Sequence, residues 1–397
     1  MELQCQIQKY DWGKRGSASK VATLVKSKDK YFEIEENSPY AELWMGTHVN
    51  GPSIIKRTGQ SLSNYITDNP KSLGEKVAKT FNNQLPFLLK VLSINTALSI
   101  QAHPTKKHAQ ELHAKRPDIY KDPNHKPELA IALTPFEAMC GFRPVEEVKW
   151  FITNILELEE IIGSCKSEEN DEEFLKKCFR LIVTCEKEQV KNTVIALQAR
   201  YKNLDKLNRA KYLADLVDRL NEDFPYDNGI LMIYLLNYIK LNPSESLFLG
   251  ANEVHAYLYG DCVEIMASSD NVVRAGLTPK LVDVETLCSM LIYKGEKPED
   301  KIFQPIIEDD YTHLYKPSVP DFAIAEIQVP CSVKNYKTIR RNSASIIIVI
   351  LGRGKSIDTE LQPGTILFLG SDEVLHLVEV FSEGESMLMY QGFANVP

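Results

Sequence analysis

The chain has 397 residues, 44% hydrophobic and 25% charged, with a formal net charge of −8. That length points to two or three modules able to bury a core, and that composition excludes disordered, collagen-like and membrane-embedded chains. The negative balance argues against a nucleic-acid partner, which calls for a basic stripe, but leaves room for a small anion held by a local Lys/Arg pair. No run approaches 18 apolar residues, and the start, MELQCQIQKYDWGK, lacks the basic-then-apolar order of a signal peptide. A cytoplasmic location without membrane contact is the expectation. The cysteines form no CxxC pair, so reduced thiols are the default.

Up to about Pro144, the runs YFEIEE, SIIKRT, FLLKVLSINTALSIQAH and LAIALT alternate with Gly, Pro and Asn breaks and read as strands. A Lys-rich stretch after His103 reads as helical. His108 and His113 follow at intervals of five, not the three or four of helix-borne ligands, and with His48, His313 and His376 they read as structural. Over 145–240 the period changes. Val148, Phe151, Ile152 and Ile155, then Leu213, Leu216, Val217 and Leu220, form the apolar stripe of amphipathic helices. The acidic run SEENDEE (167–173) reads as a solvated loop or helix start.

From Leu241 the strand pattern resumes, and an internal repeat emerges. LNPSESLFLGANEV (241–254) matches LQPGTILFLGSDEV (361–374) at eight of fourteen positions, 120 residues apart. Proline, LFLG, a polar turn and Glu-Val before a further strand is the pattern of cupin barrels. The expected architecture is mainly β with a helical insertion: two cupin (jelly-roll) barrels plus an α-helical domain. Residues 1–144 and 241–300 would form the first barrel, 145–240 the insertion, and 301–397 the second barrel. His255 follows the first copy of the repeat and Leu375 the second, so only the first barrel is expected to bind metal.

Alternation along a strand places Ser99, Gln101 and His103 on one face, with Leu98, Ile100 and Ala102 opposite. In the following strand Glu128, Ala130 and Ala132 share a face, and the small residues leave space for a cavity. A hairpin turning near Gly260 would bring Tyr257 and Glu264 to the face of His255. Two histidines, a carboxylate and a neutral oxygen donor suit zinc and would also accept Fe(II), Mn or Co. Arg274, between a Ser/Asp/Asn turn and Gly276, can hold phosphate through its fork, and Lys126 can do so as a point charge.

These residues sit in YDWGKRGSASKVA, PYAELWMGTH, SIQAHP, NHKPELAIALTPFEAMCGFRP and HAYLYGDCVEIMASSDNVVRAGLTPK, stretches that resemble type I phosphomannose isomerases over residues 10–280. The C-terminal repeat is similar to that family's extra cupin domain. The resemblance implies a cytoplasmic enzyme, monomeric and with one Zn2+ per chain, that interconverts mannose 6-phosphate and fructose 6-phosphate and supplies mannose 6-phosphate for GDP-mannose and glycosylation. It implies metal ligands at Gln101, His103, Glu128 and His255, an essential Arg274, and a sugar-phosphate pocket lined by Trp12, Ser99, Lys126, Tyr257 and Glu264. The chain departs from the family at Ser244 and Tyr226, where glycine is usual, at Val254, where proline is usual, and at Thr105, where aspartate is usual.

Aldose–ketose exchange removes a proton beside a carbonyl, passes through an enediol and returns the proton to the neighbouring carbon. Arginine, with a pKa above about 12, is a poor general base. The chemistry therefore assigns charge stabilisation to Arg274, proton transfer to Glu264, and phosphate binding or ring opening to Lys126. Two other readings fit the ligand set: a non-haem iron dioxygenase, disfavoured by Lys126 and Arg274, and an inactive sugar-binding cupin, which would have no need of all four ligands.

Overall fold

The computed structural model describes residues 1–164, 170–381 and 386–396, so Ser167, Glu168 and Glu169 of the acidic run lie outside the described residues. Its remaining acids open the helix Asp171–Val183, with Asn170 as the side-chain cap.

A ten-stranded antiparallel sheet system carries the N-terminal part of the chain. At its centre is one long strand, His255–Ala267. Its second half lies between Phe87–Ile94 and Glu128–Ala132, while its first half pairs with Ile100–Ala102 and Phe136–Phe142. The expected hairpin near Gly260 does not form. Instead the strand bends there: Gly260 has φ 113°, and a Cβ would stand 2.6 Å from the Pro135 carbonyl oxygen. Asp261 fixes the bend, its carboxylate accepting from Lys14 at 2.7 Å and from Ser93 at 2.5 Å. Because the register also shifts between Tyr257 and Tyr259, side-chain parity resets at the bend.

Of the other expected strands, YFEIEE forms none, and turns stand at both of its ends. Phe32 and Ile34 pack onto the core, yet the Glu35 N–H donates to the Tyr40 hydroxyl and no neighbouring strand completes a ladder. SIIKRT shrinks to Ile54–Ile55. Helices the strand pattern did not foretell occur at Lys20–Lys28, Leu62–Asp68 and Glu75–Thr80, two of them capped by Ser19 and Ser61.

The helical region runs from Val145–Asn154 to Ala214–Asp223 and buries the stripes read from its sequence, including Val148, Phe151, Ile152, Leu216, Val217 and Leu220. Leu213 caps its helix with φ 55°. The next strand begins at Leu236, ahead of the expected start at Leu241, and pairs with Phe136–Phe142.

The C-terminal part holds a six-stranded and a four-stranded sheet. Ile347, Val349, Leu367, Leu369, Leu375, Leu377 and Met389 fill the space between them. A separate core joins the two halves of the chain, with Leu89, Val91, Ile131 and Ile265 packed against Phe322, Ile324, Ile346 and Phe368.

The repeat is real in three dimensions. Ser246–Leu249 corresponds to Ile366–Leu369, and the turn residues Asn252 and Asp372 have matching φ of 64° and 67°. Ser244 corresponds to Gly364, with φ of 70° and 85°. Ser244 thus shares the left-handed conformation of Gly364, and Tyr226 also has a positive φ, 61°. A left-handed non-glycine residue costs about 1–2 kcal/mol, partly offset by the greater chain entropy that glycine loses on folding. Ser244→Gly should therefore stabilise the protein by roughly 0.5–1 kcal/mol, seen as a higher thermal midpoint; an unchanged or lower midpoint would contradict this account.

Candidate metal centre and acid–base site

His103 follows the strand Ile100–Ala102 and His255 opens the strand His255–Ala267, and both are held the same way. The Nδ1 of His103 lies 2.7 Å from the Asn271 carbonyl oxygen, and that of His255 lies 2.8 Å from the Glu253 carbonyl oxygen. Each ring therefore donates Nδ1–H to the backbone and turns Nε2 inward as a bare lone pair. Both Nε2 atoms face Glu128, at 3.4 and 3.3 Å from its two oxygens, and neither makes a hydrogen bond. Burial drives the His103 pKa down to about 4 despite the opposing pull of Glu128, so the ring is neutral at pH 7. Acceptors converge on acceptors in a buried space, an arrangement that a cation satisfies. The three side chains are the one such group among the described residues, their ligand atoms within 4.8 Å of one another.

Gln101 completes the row. It is the register partner of His255 on one side and of Arg274 on the other, and cross-strand partners share a face. The Ser99 hydroxyl lies 3.4 Å from its Oε1. Leu98 departs from the expected alternation, packing with Trp12 against the cluster that contains Ala130, Ala132 and Tyr257. That cluster is the small-residue wall foreseen beside Glu128, while Leu129 and Ile131 point into the core shared with the C-terminal sheets.

Lys126 Nζ sits 3.3 Å from Glu128 Oε1, and the neighbouring His125 is held at 3.0 Å by Asp321 from the C-terminal part. The bend at Gly260 carries Glu264 to the same interior. Its carboxyl pKa is raised, first by burial and further by Glu128 and Glu42, against the pull of Lys90. The Tyr257 hydroxyl is buried without a hydrogen-bond partner, and its ring stands 6.5 Å from that of His255. Burial lowers the Arg274 pKa, and among the described residues no carboxylate pairs with its guanidinium. Lys126 thus contacts Glu128, and Arg274 is joined to the histidine row through its register partner Gln101.

Sequence reasoning missed Lys90. It is buried, 3.1 Å from Glu264 and 3.9 Å from Glu42, with its ammonium 5.3 Å from the centre of the Trp44 ring. Burial pushes its pKa down, but Glu42, Glu264 and Glu128 more than offset this, and it stays charged. The signal was available: a lysine inside the apolar run FLLKVLSI is seldom buried without a partner. His113 bonds the Tyr120 carbonyl oxygen through Nδ1, and His313 is exposed. His48 packs edge-on against Trp44 and pairs with Asp270 at 3.3 Å. A cavity of about 620 Å³ opens beside this pair, lined also by Asn124, Lys106 and Asp321, and does not include the two metal-facing histidines.

A two-histidine, one-carboxylate metal site walled by buried ionisable groups is the class of centre this fold defines. Residues 1–145 match the family model "Phosphomannose isomerase type I, catalytic domain" and residues 152–236 match its "helical insertion domain". Mannose-6-phosphate isomerase of Rattus norvegicus is 44% identical over 400 residues, 94% of each chain. Among solved structures, a mutant of phosphomannose isomerase from Salmonella typhimurium superposes with TM-score 0.86 at 29% identity, covering 100% of this chain and 99% of that one. A zinc-bound mannose 6-phosphate isomerase gives 0.84 at 30% identity with the same coverage. The chain belongs to the type I phosphomannose isomerase family and is an isomerase.

Glu128→Gln removes the charge on which both rings and Lys126 converge. Its affinity for zinc should fall by more than about a hundredfold, beyond the effect typical of outer partners, as measured by metal analysis after dialysis. Full zinc retention would show that the ion binds elsewhere.

Proposed function

We propose that this chain interconverts mannose 6-phosphate and fructose 6-phosphate through an enediol, with one zinc ion held by Gln101, His103, Glu128 and His255. The observation that carries this reading is the pair of buried Nε2 lone pairs aimed at one carboxylate, beside an arginine that no carboxylate among the described residues neutralises. When bound, zinc supplies Lewis-acid stabilisation of negative charge on a sugar oxygen.

The chain's own residues divide the remaining work. Glu264, its pKa raised by burial toward the working range of a base, moves the proton between C1 and C2. Lys90 stays charged beside it and keeps the carboxylate oriented. Arg274 binds the anionic sugar phosphate and stabilises developing charge, and Lys126 serves phosphate binding or ring opening. Trp12, Ser99 and Tyr257 line the sugar pocket. The scaffold for this chemistry is a pair of cupin barrels, 1–144 with 241–300 and 301–397, around an insertion at 145–240. We place the enzyme in the cytoplasm as a monomer without nucleic-acid or membrane partners, feeding GDP-mannose formation. Among the described residues no helix is long and apolar enough to cross a membrane.

The decisive assay is mannose 6-phosphate turnover with a fructose 6-phosphate readout, before and after chelation and zinc return. Activity should vanish and come back. Glu264→Gln should lower kcat by about 10²–10⁴ with zinc retained, the usual contribution of a positioned base. Near-full turnover in Glu264→Gln, alongside an inactive zinc-loaded Arg274→Ala, would move the base to another residue.

A further inference from the structure

The turn 250–254 touches both metal-facing histidines through its main chain. The Glu253 carbonyl oxygen holds the Nδ1 of His255, and the Asn252 N–H donates to the His103 carbonyl oxygen at 2.7 Å. Backbone bonds from Gly141 N–H to the Val254 carbonyl oxygen and from Ile292 N–H to that of Asn252 hold this turn, and an ion cluster adds a side-chain anchor. Lys301 Nζ donates to Glu253 Oε1 at 2.8 Å and to Glu296 Oε2 at 2.5 Å, and its side chain is only 11% exposed. The cluster is built into the sheet. Gly141, φ 64°, leaves the space it occupies, since a Cβ there would stand 2.3 Å from Glu253 Oε1 and 2.9 Å from Lys301 Nζ. Buried Asn237 ties the carbonyls of Cys140 and Phe142 to that of Glu296 through its Nδ2.

The second copy of the repeat supplies a comparison within the same chain. There Asp372 N–H donates to the Arg341 carbonyl oxygen at 2.8 Å, as Asn252 does to His103, so the backbone frame is kept. The counterpart of Glu253 is Glu373, whose Oε2 accepts from its own turn, the Gly370 N–H, at 2.7 Å. Leu375 stands where His255 would, with no ring to orient. The outward-reaching glutamate and its lysine occur where the turn must aim an imidazole.

We propose that Lys301, acting through Glu253 and Glu296, is a positioning residue for the metal centre: it clamps the turn 250–254 and thereby fixes the orientation of His255 and the backbone at His103. The inference rests on the metal reading above. Removal of an outer partner of a metal-bound histidine typically weakens affinity about 10–100-fold.

The test is zinc affinity by competition with a chromogenic chelator, for the full chain and for Lys301→Met, with Lys294→Met as control because Lys294 meets Glu296 from solvent. Lys301→Met should bind zinc about 10–100-fold more weakly, Lys294→Met as the unaltered chain. At saturating zinc the KM of Lys301→Met for mannose 6-phosphate should be unchanged, and raising zinc should restore turnover, which loss of folding would not permit. Should Lys301→Met fail to fold, Glu253→Gln decides by the same measurement: weakened affinity supports the clamp and equal affinity overturns it. A folded Lys301→Met with unaltered affinity overturns the clamp alone. An unaltered chain that binds no zinc would sink both the clamp and the metal reading.

Discussion

Two imidazole lone pairs and a carboxylate facing one another without a proton to share are electrostatically unfavourable, and much of the fold around them makes sense as the means of holding them there. The rings cannot turn away, because each Nδ1 is committed to a backbone carbonyl oxygen. Glu128 cannot escape to water, because it is buried on a strand flanked by two others. Lys126 relieves part of the charge from one side. The deficit that remains is the electrostatic definition of a divalent cation site, and the separate pair formed by Lys90 and Glu264 is close enough to feel it.

How much of this was legible in the sequence depended on whether a local rule was enough. Strand parity grouped Ala130 with Ala132, which share a cluster, but it misplaced Leu98, which packs on that same cluster just ahead of the strand Ile100–Ala102. The helical stripes were plainer, since their period needs only nearby residues. The hairpin expected to bring Glu264 opposite His255 is replaced by one bent strand, and the bend depends on a positive φ at Gly260 that no pattern encodes. The YFEIEE run shows the converse failure, in which alternation is present but the partner strand, a non-local fact, is missing.

Lys90 was overlooked for a related reason. Its run looks like an ordinary buried strand, and only the pairing of that strand with Glu42–Met45 and His255–Ala267 places Glu42 and Glu264 within reach. The departures from the family at Ser244 and Tyr226 were legible as residues but not as conformations. Both positions have positive φ, 70° at Ser244 and 61° at Tyr226, the left-handed region that favours glycine.

The two copies of the β-unit have diverged in what fills them. One interior keeps polar groups and an alanine wall; the other is packed with Ile, Val, Leu and Met. Yet the first copy also presents Leu89, Ile131 and Ile265 to Phe322, Ile346 and Phe368 of the second, and Asp321 reaches across to His125, next to Lys126. The second copy thus serves as a buttress. A protease nick or truncation that separated the halves would strip an apolar face from each at once, and the chemistry of the front half would be lost with the masonry behind it.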